Sequence, residues 1–139
     1  MKVFEKIFGL NMRTWLSTLW IFVTVNYIFC DVLSIMDPEF IKGIVAGTGP
    51  VQMTQGALLA AGISLEIPFI MIILSRILKY GVNRWANIIA GLLMTVYQVA
   101  SFFIGTSTLH YIFFSIIEIG CDLLIVWFAW KWSKPEAQV

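Results

Sequence analysis

Four apolar runs, each long enough to cross a bilayer as a helix, leave this 139-residue chain few folds to choose from. They cover 14–36, 54–78, 85–104 and 109–130. At 1.5 Å per helical residue each is about 30 Å long or more, which matches a hydrocarbon core. Only 12% of the residues are charged, and these cluster between the runs instead of being spread through the chain. A transmembrane β-barrel would show alternating segments of roughly 10 residues instead. The pattern predicts an all-α fold, an integral membrane four-helix bundle. Residues 1–139 are expected to form one domain, because that length leaves no room for a second.

Lysine and arginine give the expected orientation. Four spans put both termini and the middle loop on one side. That side holds Lys2, Lys6, Arg13, Arg76, Lys79, Arg84, Lys131 and Lys134, while the other holds Lys42 alone. Such a bias predicts N-in, C-in topology in the cell (inner) membrane. Trp15, Trp85, Trp130 and Trp132 fall at the inner boundary, where aromatic anchors belong. The first run is longer than a signal-peptide core of roughly 7–15 residues and lacks a small-x-small site after it, so it is expected to remain as a span. The net charge is +1 and no basic, aromatic-interleaved patch suggests nucleic acid. Membrane lipids are the expected surroundings.

The connecting segments carry their own signals. Lys2 to Gly9 alternates charge with Val3, Phe4, Ile7 and Phe8, a pattern that suits either a surface-lying amphipathic turn or a frayed terminus. Asp37-Pro38-Glu39 is a helix start, with Asp as N-cap and Pro in the first turn, and Gly47-Thr48-Gly49-Pro50 is a stop. A short outer helix capping the bundle is therefore expected. In the second run, Gly56 with Ala60 and Ala57 with Ala61 are small-xxx-small pairs that permit close helix approach. Packing within the molecule is the first reading, a homodimer seam the second. The Lys79–Arg84 loop is short enough to make the second and third spans an antiparallel hairpin, and Gly105–Thr108 does the same for the third and fourth. Gly91, Thr95, Gln98 and Phe102 share one stripe of the third span. Cys30 and Cys121 differ in expected depth by roughly 10 Å, too far for a disulfide, and read as buried structural thiols.

Chemistry concentrates in the polar residues inside the spans. Asp31, Glu66, Glu118 and Asp122 are acids with no Lys or Arg at comparable depth. Glu66 lies near the middle of its run and two residues before Pro68, which removes the helical hydrogen bond to the Ser64 carbonyl. A kink beside an inward-facing acid is expected there. Glu118 and Asp122 are i,i+4 and share a face, with Ser115 and Tyr111 further outward. Counted by helical rise, Asn26, Glu66, Gln98 and Glu118 fall in one layer, one from each span. That arrangement supports either a structural hydrogen-bond network or an acid-lined binding cavity. The candidate ligand-binding residues are Asn26, Asp31, Glu66, Gln98, Tyr111, Glu118 and Asp122. No metal site and no cofactor are expected, since hard cations want several oxygen ligands at fixed geometry and the one histidine, His110, lies at the outer mouth of the fourth span.

Several stretches carry a family likeness. They are Leu65-Glu66-Ile67-Pro68-Phe69, Leu74-Ser75-Arg76, Asn83-Arg84-Trp85-Ala86-Asn87-Ile88-Ile89-Ala90-Gly91, His110-Tyr111-Ile112-Phe113-Phe114 with Glu118, and Trp127-Phe128-Ala129-Trp130-Lys131-Trp132. Over about residues 15–134 the chain resembles a family of small prokaryotic four-helix membrane proteins known only as a domain of unknown function. In architecture it is also similar to the four-helix sterol-isomerase and sigma-2-receptor group. In that group an acid near the outer end of helix 1, matched here by Asp31, accompanies an acid near a Pro-Phe pair, matched by Glu66. The group's isomerase histidine has no clear counterpart in this chain.

The functional expectation is a multi-pass membrane protein that binds a lipid-like or cationic amphiphilic molecule in an acid-lined cavity. Tyr27, Tyr97, Phe102 and Tyr111 would line the body of such a ligand. The alternatives are a proton-coupled small-molecule transporter and an isomerase-like membrane enzyme using carboxyl groups as acid and base. Catalysis is the less expected of these, and no catalytic residue is assigned.

Overall fold

A computed structural model of the chain describes residues 11–49, 52–104 and 108–133. Five helices and no strand occur among them: α1 (Met12–Met36), α2 (Pro38–Ala46), α3 (Gln55–Ile77), α4 (Tyr80–Ser101) and α5 (Leu109–Lys131). Three of these, α1, α3 and α5, are long and apolar enough to cross a membrane, which marks the chain as a membrane protein. The 22-residue α4 is not among the three; it carries Asn83, Arg84, Asn87 and Gln98. The amphipathic pattern at 2–9, the turn at 105–107, Pro50, and the terminal Lys134-Pro135 lie outside the described residues, as do the basic residues Lys2 and Lys6.

Local chemistry explains where the helices begin and end. Asn11 caps α1 by accepting from the Thr14 amide at 2.9 Å. Asp37 caps α2 by accepting from the Glu39 amide at 3.0 Å, with Pro38 in the first turn, and Thr54 caps α3 by accepting from the Ala57 amide at 3.1 Å. These are orphan donors that a side-chain oxygen satisfies. Gly47 ends α2 with φ 66°, the left-handed conformation that glycine reaches without a Cβ penalty. The short helix expected after Asp37 is thus present, but it buries no residue. It lies against α1 and leaves Phe40, Ile41 and Val45 exposed.

The core forms where α1 meets α5 and α3, and where α5 meets α4. Met12, Leu16, Trp20, Val23 and Tyr27 make one buried stripe of α1 at three- and four-residue spacing. They meet Met71 of α3, Ile88 and Met94 of α4, and Ile125 and Ala129 of α5. Helices α4 and α5 approach closely at Gly91. A Cβ there would come within 2.7 Å of Val126 Cγ2 and 3.2 Å of the Asp122 carbonyl oxygen.

Two expectations change. First, the Lys79–Arg84 loop is mostly helix, because α4 begins at Tyr80. The turn can be this tight because Asn83 Nδ2 donates to the Ser75 carbonyl at 2.7 Å, which caps the end of α3 from the first turn of α4. Second, the fully buried residues of α3 all lie in its C-terminal half. Its buried residues are Pro68, Met71 and Ser75, and Gly56, Ala60, Ala61 and Gly62 are exposed. A Cβ on Gly62 would meet nothing within 4 Å. Of the small-residue pairs, Gly56, Ala60 and Ala61 are thus open and only Ala57 is half-buried. Helix α3 also runs through Pro68 as one unbroken element.

Candidate functional site

The site is built on α5, where Glu118 and Asp122 straddle the middle of the 23-residue helix. Their i,i+4 spacing puts both on the face turned toward α1 and α4. Both have 0% of their surface exposed. Asp122 Oδ2 accepts from Tyr27 Oη of α1 at 2.9 Å. Its Oδ1, and both carboxyl oxygens of Glu118, have no hydrogen-bond partner among the described residues.

Outward from Glu118 along α5 the groups are satisfied. Ser115 Oγ accepts from Gln98 Nε2 of α4 at 2.7 Å. The next turn brings the Tyr111 hydroxyl against Ser101 Oγ, with the Tyr111 ring edge-on to Phe102 at 5.6 Å. At the outer end His110 Nε2 lies 3.2 Å from Ser34 Oγ, and its Nδ1 lies 3.0 Å from Thr108 Oγ1. A series of hydroxyl and amide groups thus runs from the Thr108 end of α5 to Glu118, whose two oxygens have no hydrogen-bond partner among the described residues. Buried polar atoms are nearly always satisfied, so Glu118 is the anomaly of this interior.

Of the residues singled out from the sequence, the structure brings together Gln98, Tyr111, Glu118 and Asp122. The other three are not buried with them. Asn26 is half-buried and donates to the Phe22 carbonyl of its own helix at 2.8 Å, the bond of a side chain turned back on its own turn. Asp31 is exposed. Glu66 is also exposed, in a shallow groove with Phe69, Ile70 and Ile73. The expectation that Glu66 faces inward therefore fails, because α3 turns Pro68, Met71 and Ser75 toward the bundle and Glu66 lies roughly half a turn away. Tyr97, placed on the ligand from sequence, is exposed as well.

A second polar cluster, near the α3–α4 turn, escaped the sequence reading. Asn87 Oδ1 accepts from Trp20 Nε1 at 2.7 Å and from Ser75 Oγ at 3.1 Å. Its Nδ2 donates to the Asn83 carbonyl at 2.9 Å and to Asn83 Oδ1 at 2.7 Å. Nearby, Ser17 Oγ donates to the Ile72 carbonyl at 2.8 Å and accepts from Arg76 Nε at 2.9 Å. Every member named here has its partners, so this cluster ties α1, α3 and α4 together and offers no open valence. The signal was available: Asn83 and Asn87 are themselves an i,i+4 pair in a helix whose other side is apolar. Both cysteines are free and buried, and no group of three metal-ligating side chains occurs among the described residues.

A family model matches residues 1–138 of the chain, that of a family of unknown function, DUF6326. The chain belongs to this family. No curated protein and no solved structure matches it. The family brings no activity with it, so a functional reading of this DUF6326 member rests on its own site. The two acids that carried the likeness to the sterol-isomerase and sigma-2-receptor group, Asp31 and Glu66, are both exposed.

Proposed function

We propose that this protein is a four-span membrane protein whose interior captures the protonated amine of a lipid-like or amphiphilic molecule at Glu118, with Asp122 beside it. One observation carries the reading: a carboxyl group with no exposed surface and no partner for either oxygen among the described residues. An unpaired acid in a low-dielectric interior costs several kcal/mol, and a bound cation removes that cost. Gln98, Ser115 and Tyr111 supply hydrogen-bonding groups next to it, and Phe102 supplies apolar surface.

The fourth span is α4. Its 22 residues measure about 33 Å. Its amides Asn83, Asn87 and Gln98 are buried, whereas Ile89, Leu92, Leu93 and Val96 face outward. The basic residues then place both termini and the α3–α4 turn on the cytoplasmic side.

The test is ligand-dependent stabilisation of purified protein. A series of amphiphilic amines, with neutral alcohols of the same chain length as controls, should raise the unfolding temperature of the wild type. The effect should grow with pH while the amine stays protonated, since the acid must give up its proton to pair with it. Glu118→Gln should abolish the difference between amines and alcohols. Equal responses of the two proteins to both series would sink the reading.

The series of hydroxyls leading outward from Glu118 supports a second reading, proton-coupled transport. A pH gradient imposed on vesicles containing the protein would then dissipate in the presence of substrate, and Glu118→Gln would stop it.

A further inference from the structure

Arg13 and Arg76 meet where α1 begins and α3 ends. Arg13 Nη1 reaches to within 3.4 Å of the Arg76 backbone carbonyl oxygen. Arg76 reaches back to α1, where its Nε donates at 2.9 Å to Ser17 Oγ, on a residue with no exposed surface. Ser17 stands one turn after Arg13, so both contacts fall on one face of α1. Each guanidinium is thereby anchored through one nitrogen to the same α1–α3 seam. Arg13 Nε and Nη2, and both Nη groups of Arg76, have no acceptor among the described residues.

Neither arginine has a counter-charge. No carboxylate among the described residues forms a salt bridge with either; the ion pair found there joins Lys42 to Glu39. Helix α1 has no acid in its first turn, and a cation at Arg13 is opposed by the helix dipole as well. Two like charges held on one seam repel each other, and an anion between them turns that repulsion into attraction. Arg13 is half-buried and Arg76 exposed, so the seam is open to such a group.

The place of the pair on its helices selects the kind of anion. Both α1 and α3 are long and apolar enough to cross a membrane. Arg13 is the second residue of α1, and Arg76 is the last but one of α3. The ends of spanning helices lie at the level of the lipid headgroups. A guanidinium offers a planar fork that matches phosphate oxygens, and two of them grip one phosphate from two sides. A zwitterionic lipid carries a cation along with its phosphate and leaves both arginine charges uncompensated, whereas an anionic lipid brings net negative charge. We propose that Arg13 and Arg76 form a seat for the phosphate of an anionic phospholipid at the α1–α3 seam. Ile73, one turn before Arg76 and exposed, offers apolar surface to its acyl chains. The seat involves neither Glu118 nor Asp122 and stands apart from ligand capture.

The test is lipid binding to the full-length protein in neutral detergent, read by native mass spectrometry and by thermal unfolding. The probes are phosphatidylglycerol, phosphatidylcholine with the same acyl chains, and inorganic phosphate. Wild type should hold phosphatidylglycerol roughly twentyfold more tightly than phosphatidylcholine, with Arg13→Gln and Arg76→Gln each lowering that preference about fivefold, the share of one basic group. Lys79→Gln removes an exposed charge three residues beyond Arg76 and should change the preference by less than about twofold, as a solvated charge does. A glutamine amide at position 13 still reaches the Arg76 carbonyl, so Arg13→Gln should unfold at the wild-type temperature when no lipid is added. Equal affinity of the wild type for the two lipids would overturn the proposal. So would a preference that survives both arginine changes, or one that falls as far with Lys79→Gln and so belongs to diffuse surface charge. Inorganic phosphate that stabilises the protein as well as phosphatidylglycerol at equal concentration would assign the pair to a soluble anion and overturn it too.

Discussion

Tyr27 and Asp122, 95 positions apart, are joined by a hydrogen bond of 2.9 Å from the phenol hydroxyl to Oδ2. The bond ties α1 to α5 inside the core. Among the described residues it leaves Asp122 Oδ1 and both oxygens of Glu118, one turn away, without a hydrogen-bond partner. Removing the hydroxyl should therefore cost stability. Tyr27→Phe is expected to lose about 1–2 kcal/mol, because the aspartate keeps its burial and loses its only donor. Asp122→Asn should lose less, since an amide oxygen still accepts from the phenol. Thermal or denaturant unfolding in detergent micelles measures both.

Glu118 should behave in the opposite way. With no hydrogen bond to lose among the described residues, Glu118→Leu is expected to raise stability by roughly 1–3 kcal/mol as the desolvation penalty of the carboxyl disappears. The same change should remove amine-dependent stabilisation. A group kept at a cost to the fold is a mark of function. A Glu118→Leu protein less stable than wild type would show that the carboxyl has a structural partner.

Asn87 is the hub of the cluster near the α3–α4 turn, and its loss should be felt in three helices. Asn87→Leu strands the Trp20 indole N–H and the Ser75 hydroxyl. A loss of about 2–4 kcal/mol is expected. A double-mutant cycle with Trp20→Phe should return a coupling of roughly 1 kcal/mol, which tests the contact itself and not the burial around it.

Gly91 should tolerate no side chain. An added Cβ meets Val126 Cγ2 at 2.7 Å and the Asp122 carbonyl at 3.2 Å. Val126 is β-branched and stiff, so α4 must back away from α5. Gly91→Ala is expected to cost about 1–3 kcal/mol by overpacking. Gly120→Ala, where a Cβ meets nothing within 4 Å, serves as the matched control and should be neutral or mildly stabilising.

Orientation is tested at the α3–α4 turn. Gly81 is exposed and has open space around it, so Gly81→Cys should leave the fold intact. An impermeant thiol reagent should label it only from the cytoplasmic side. Labelling from outside alone would reverse the proposed topology.

The sequence by itself determined which segments are helical and where they stop. Apolar length located the runs to within a few residues at most ends, since a backbone in hydrocarbon must satisfy its own hydrogen bonds. The cap at Asp37 and the stop at Gly47 are local chemistry and were equally legible. The start of α4 was not, because Tyr80 to Arg84 looks like a basic loop until Asn83 finds the Ser75 carbonyl across the turn. Helical rise also fixed how deep each acid lies along its own helix. What rise cannot give is direction around the axis. In a soluble protein the polar face announces itself, but in a membrane both the lipid side and the bundle side of a helix are apolar. Glu118 and Asp122 escaped that ambiguity by being i,i+4, so that one packed face accounts for both. Glu66 stands alone among the apolar residues at the middle of its helix, and only the burial of Pro68, Met71 and Ser75 in the bundle decided that it points outward. Tertiary structure alone paired Tyr27 with Asp122 and left Glu118 without a hydrogen-bond partner among the described residues, because contacts between helices depend on how side chains interlock and not on the order in which they occur.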